Sequence, residues 1–111
     1  MEQSTSGADP WSHAIPTVDE LDATLKLLSA LAHPSRLLVL FALHAHDQLS
    51  VAQLSELTGQ EQSSMSHQLA VLRKADLIVS ERDGKRNLYR LADEHVIGLL
   101  QTALDRATGH E

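Results

Sequence analysis

Leu77-Ile78-Val79-Ser80-Glu81-Arg82-Asp83-Gly84-Lys85-Arg86-Asn87-Leu88-Tyr89-Arg90-Leu91 is the stretch whose reading decides the fold. Two segments with alternating character flank Asp83-Gly84, and Asp-Gly between such segments is a strong short-range signal for a tight β-hairpin. Strands are expected over Leu77–Arg82 and Lys85–Leu91. Immediately upstream, helical periodicity runs from about Gln62 to Ala75. Before that, Ser50 suits the cap of a short helix reaching Leu57, and Thr58-Gly59 makes a tight corner. Two helices around a glycine corner with a hairpin behind them describe a winged helix-turn-helix, mainly α with one small β-hairpin.

The flanks fit that body. His33-Pro34-Ser35 interrupts the chain, Pro34 suits the first turn of a helix, and Ser35–Ala45 carries the dense apolar run Leu37-Leu38-Val39-Leu40-Phe41, which belongs at the centre of the core. An earlier helix over Val18–Leu31 places Leu21, Leu25, Leu28 and Leu31 in register, with Asp19, Glu20 and Asp22 near its positive end. Asp93 opens a last helix with Val96, Ile97, Leu100, Ala103, Leu104 and Ala107 along one stripe, ending near Gly109. Residues 1–17, broken by Gly7, Pro10 and Pro16, read as a flexible arm. The folded domain is expected over 18–108, with 109–111 as a short tail.

Composition narrows the chemistry. The chain has 111 residues, 42% apolar but only 3% aromatic, so Leu, Val, Ile and Ala must build the core, and a domain this small often leans on a partner subunit. Its complete lack of Cys removes disulfides, thiolate metal sites and thiol redox sensing. No segment approaches the roughly 20 apolar residues of a membrane span, and the N-terminus lacks the basic start of a signal peptide, so a cytoplasmic protein is expected. The net charge of −6 is unevenly divided. Residues 73–90 hold six basic residues (Arg73, Lys74, Arg82, Lys85, Arg86, Arg90) against three acids, a local charge of +3, while the remainder has three basic residues against twelve acids. A concentrated basic patch on an acidic body can seat on phosphates.

The helix at 62–75 has two unlike faces. Met65, Leu69 and Leu72 sit at i, i+4 and i+7 and pack inward. Gln62, Ser63, Ser64, Ser66, His67, Gln68 and Arg73 are the candidate DNA contacts, because short polar groups reach base edges in a major groove without bulk. Arg82, Lys85 and Arg86 on the hairpin would clamp phosphates, giving affinity and salt dependence rather than sequence choice. The bland reading of both sets is a solvated polar surface. The glycine corner before the helix and the hairpin after it favour DNA.

In Leu31-Ala32-His33-Pro34-Ser35-Arg36-Leu37, Gln62 to Leu69, Leu72-Arg73-Lys74-Ala75-Asp76-Leu77-Ile78 and Asp83 to Tyr89, the chain resembles the ArsR/SmtB family of bacterial metal-responsive repressors from about Leu21 to Ala107. The resemblance implies a homodimer built from the first and last helices, each protomer offering its recognition helix to half of a palindromic double-stranded operator. It also implies where metal would bind. The thiolate site that some members carry falls on Leu49 to Leu54, where Ser50 and Ala52 replace the two cysteines, so that site is absent. A second family site pairs Asp-x-His on one protomer with two later ligands on the other. Asp93-Glu94-His95 matches the first pair, whereas Arg106 and Gly109 stand at the second and cannot ligate.

His110, His13, Asp105 and Glu111 are candidates to complete the set. The nickel- and cobalt-responsive branch recruits ligands from its tails, and nickel suits imidazole and higher coordination, so nickel is the first choice, with zinc or cobalt as alternatives. Most of the family releases DNA when metal binds. The opposite sense, or a further protein partner as the sensor, stays open. So does a metal-independent regulator in which Asp93 and His95 merely start a helix and His13 and His110 are ordinary terminal residues. His44 and His46 fit a helix C-terminus as well as they fit a chelate. An enzyme is disfavoured by the lack of a Cys nucleophile, a phosphate-cradling glycine loop and paired carboxylates.

Overall fold

Thr17 starts the first helix with a reciprocal cap: its hydroxyl accepts from the Glu20 amide while the Glu20 carboxylate accepts from the Thr17 amide. The computed structural model describes residues 14–109. Within them, α1 (Val18–Leu31) and α2 (Pro34–His46) lead to β1 (Leu49–Ser50), α3 (Val51–Thr58) and α4 (Gln62–Lys74), then β2 (Ile78–Asp83), β3 (Arg86–Leu91) and α5 (His95–Thr108). His33 caps α2 by accepting the Ser35 amide at Nδ1, and Pro34 fills the first helical position, where no backbone donor is needed. Ser50 and Gln53 form a second capping box at the start of α3.

The turn-decided features come out as expected. Gly59 ends α3 at φ +73°, left-handed as a helix-ending glycine should be. Asp83 pairs with Arg86 across a two-residue turn, and Gly84 at its first central position has φ +65°. The strands lie within a residue of the expected limits.

Two features differ from expectation. Leu49–Ser50 forms a short strand beside β3, with Leu49 opposite Tyr89 and Ser50 opposite Leu88, so the sheet has three antiparallel strands in the order β1-β3-β2. Two residues carry no periodic pattern, which is why this strand leaves no trace in the sequence. The last helix begins at His95 rather than Asp93, because the Asp93 side chain serves as acceptor for the His95 amide at 2.9 Å.

At the centre sits α2, whose Val39 and Leu40 are fully buried, with Leu43 beside them. Leu54 of α3 and Met65, Leu69 and Leu72 of α4 close over it, and Leu77, Ile78, Tyr89, Leu91, Ile97 and Leu100 complete one apolar core. The outer helices are different. Leu21, Leu25 and Leu28 of α1 and Leu99 and Leu104 of α5 are 44% to 58% exposed. No single helix among the described residues is long and apolar enough to cross a membrane.

Candidate nucleic-acid interface

The inward face of α4 is fixed by Met65, Leu69 and Leu72, and this rotation leaves Gln62, Ser63, Ser64, Ser66, His67 and Arg73 exposed. Gln68 is a correction to the sequence reading. It is only 7% exposed, and its Oε1 accepts a hydrogen bond from Arg36 NH1 at 2.8 Å. It lies three residues after Met65 and four before Leu72, hence on the buried stripe despite its polarity.

At the hairpin, Arg82, Lys85 and Arg86 are all exposed. Arg82 Nε donates to the Gly84 carbonyl at 2.9 Å, and Arg86 lies 3.8 Å from the Asp83 carboxylate. Both contacts are local to the tip. Exposed ion pairs of this kind contribute little stability, so the Arg86 charge remains available to an anion. A cleft of about 340 Å³, lined by Ser50, Val51, Ala52, Gln62, Arg86 and Asn87, joins the start of α4 to the base of the hairpin turn. The first residue of α4 and the first two of β3 therefore line one cleft. Asn87 escaped the sequence reading, because an isolated amide on a strand carries no pattern.

Asp93 and His95 come together at the start of α5. Asp93 Oδ1 lies 3.4 Å from His95 Nδ1, and the His95 side chain is 95% exposed. The two supply an oxygen and a nitrogen donor to solvent, which fits half of a transition-metal site. Among the described residues no group of three or more His, Asp or Glu is gathered to hold an ion. His13 and His110 lie outside the described residues, and so do Trp11 and Glu111. Between the two candidate ligands, Glu94 turns the other way and meets His44 Nδ1 of α2 at 3.2 Å. His44 thus faces a specific carboxylate just before α5, a partner that spacing along α2 had no means of indicating.

A protein-family model described as MarR family matches residues 33–86, which span α2 to the hairpin turn. Among characterised proteins, the chain is 48% identical over 77 residues to the HTH-type transcriptional regulator NmtR of Mycobacterium tuberculosis, covering 69% of this chain and 63% of that protein. The chain thus spans less than two thirds of the length of NmtR. It is 36% identical over 91 residues to a transcriptional repressor SmtB homolog of Synechocystis, covering 82% of this chain and 68% of that protein. With the regulator KmtR of Mycobacterium tuberculosis it shares 37% identity over 102 residues, 92% of this chain and 74% of the relative.

Solved structures agree with the fold. NolR from Sinorhizobium fredii superposes with a TM-score of 0.74 at 29% identity, covering 96% of this chain and all of the other. A homodimeric winged helix-turn-helix DNA-binding domain from Mycobacterium bovis, described as a possible ArsR-family regulator, gives 0.74 at 26% identity, covering 98% and 93%.

Proposed function

Since this chain belongs to the ArsR/SmtB family of winged-helix transcriptional regulators, we propose that it acts in the cytoplasm as a homodimer that binds a palindromic DNA operator and represses transcription. The observation that carries this reading is an exposed, short-chained polar face on α4 whose first residue, Gln62, shares a cleft with Arg86 and Asn87 of the exposed basic hairpin. Gln62, Ser63, Ser64, Ser66 and His67 face the bases, while Arg73, Arg82, Lys85 and Arg86 take phosphates. The exposed leucines of α1 and α5 form the dimer seam. Two-fold symmetry then presents two recognition helices to the two halves of the operator.

Replacing Arg82, Lys85 and Arg86 together by Ala tests the wing. Operator affinity falls and its salt dependence becomes shallower by up to about three phosphate contacts, with the dimer intact by sedimentation. Unchanged affinity would remove the wing from the interface.

The finer reading concerns metal. Asp93 and His95 hold a transition-metal ion, nickel first and zinc or cobalt after it, with His110 and His13 as the further ligands. Held by Asp93 and His95 from one protomer and completed by ligands of the other, the ion would supply a cross-link between the last helices. Asp93 and His95 fix its near side, and operator affinity changes only by as much as the ion distinguishes the two dimer shapes. Calorimetric titration with nickel and with zinc, repeated on His95→Ala, is the test. Tight nickel binding that disappears in the variant supports the sensor. No heat from either ion leaves a second reading, the metal-independent regulator, which the capping bond from the His95 amide to Asp93 already favours.

A further inference from the structure

Helix α1 ends with its carbonyls in need of donors and with no basic residue in its own last turn. Backbone amides take two of them, Ala32 bonding to Leu28 and His33 to Leu31. The two in between are taken by a side chain from the next helix. Arg36 donates from Nε to the Ala30 carbonyl at 2.6 Å and from NH2 to the Ser29 carbonyl at 3.3 Å. The third corner of the same guanidinium, NH1, donates to Gln68 Oε1 at 2.8 Å. One planar group on α2 therefore holds the end of α1 and the buried side of α4 together.

We propose that Arg36, through Gln68, is a positioning residue for DNA recognition: it fixes the roll of α4 relative to α1 without touching DNA. This rests on the operator-binding reading above and adds a mechanism to it. A guanidinium offers its donors in a rigid fork, so the three bonds it makes here restrict the groups they join. Gln68 directly follows Ser66 and His67 on the helix that faces DNA. Side-chain tips lie roughly 5 Å from a helix axis, so a roll of about 20° displaces them by nearly 2 Å, more than the tolerance of a hydrogen bond to a base edge. Because α1 also carries the exposed leucines, the clasp ties the setting of the recognition helix to the seam between protomers.

The experiment uses a labelled duplex selected from a random-sequence pool by the unaltered full-length protein. Binding is measured by fluorescence anisotropy over a range of salt, with melting and sedimentation recorded for every variant. Gln68→Leu keeps the volume and removes the acceptor, and it is expected to bind about tenfold more weakly at an unchanged salt slope, since no phosphate contact is lost. Gln68→Glu keeps an acceptor for the guanidinium and is expected to stay within about threefold of the unaltered protein. Arg36→Met combined with Gln68→Leu should be no weaker than the weaker single variant, as for two residues that act as one unit.

Gln68→Leu binding as well as the unaltered protein overturns the proposal, and so does a Gln68→Glu variant as weak as Gln68→Leu. A shallower salt slope for Arg36→Met would make Arg36 a phosphate contact instead. If Arg36→Met fails to fold, the two Gln68 variants decide alone, their dimers and melting curves showing whether lost affinity is lost structure. If the unaltered protein selects no duplex at all, the operator-binding reading fails first and takes this inference with it.

Discussion

Asp76 is held at φ +61°, a left-handed setting that costs a residue with a Cβ about 1 kcal/mol. The reason is the end of α4. The Leu77 amide bonds to the Leu72 carbonyl and the Asp76 amide to the Arg73 carbonyl, a paired closure in which the residue at Asp76 must turn left-handed. The buried side chains of Leu72 and Leu77 accompany it. Asp76→Gly is therefore expected to stabilise the fold by about 0.5 to 1 kcal/mol, read from the denaturant midpoint at unchanged slope. Asp47, also at φ +61°, closes the tight turn in which the Gln48 amide reaches the His46 carbonyl. Glycine at position 84 announces its turn in the sequence, whereas aspartate at 76 and 47 does not, because Asp serves caps and ordinary turns equally well. Gln68 is the opposite case. The spacing 65, 68, 69, 72 already placed it on the inward stripe, and polarity outweighed geometry in the reading.

Among the elements, those with long periodic patterns were legible and those held by single contacts were not. The limits of α1 and the hairpin follow from leucine spacing, capping residues and Asp-Gly. The strand at Leu49–Ser50 exists because β3 offers it a free edge, and the start of α5 is set by one side chain. That side chain gives a prediction. Asp93→Ala removes the acceptor for the His95 amide and should cost about 1 kcal/mol, with fraying of α5 visible in hydrogen exchange. Asp93→Asn keeps an acceptor at the same place and should retain most of that stability. It removes the charge, so the sensor reading predicts weaker nickel binding from the same variant. Comparing the two substitutions separates the helix-capping role of Asp93 from its proposed role as ligand.

In the whole molecule, the core closes around α2 while α1 and α5 keep leucines in water, so the chain carries a surface that a single copy leaves unsatisfied. Leu28→Glu together with Leu104→Glu should give a folded monomer by sedimentation, since neither residue is in the core, and operator binding should fall by at least an order of magnitude as the second recognition helix is lost. Retained dimers would move the seam elsewhere. The leucine stripes of the terminal helices were legible in the sequence, and their role as the proposed seam comes from the family resemblance. The full set of proposed metal ligands was not legible, since a site of that kind would be shared between chains and no spacing within one chain would reveal it.

Those uncovered leucines also bear on how much protein a cell must make. When copies are scarce, pairs form as the square of the supply, so halving synthesis cuts the paired form about fourfold. A promoter under such control would respond about quadratically to the abundance of this chain, so a twofold change in translation or turnover would act on the operator as roughly a fourfold change in dimer.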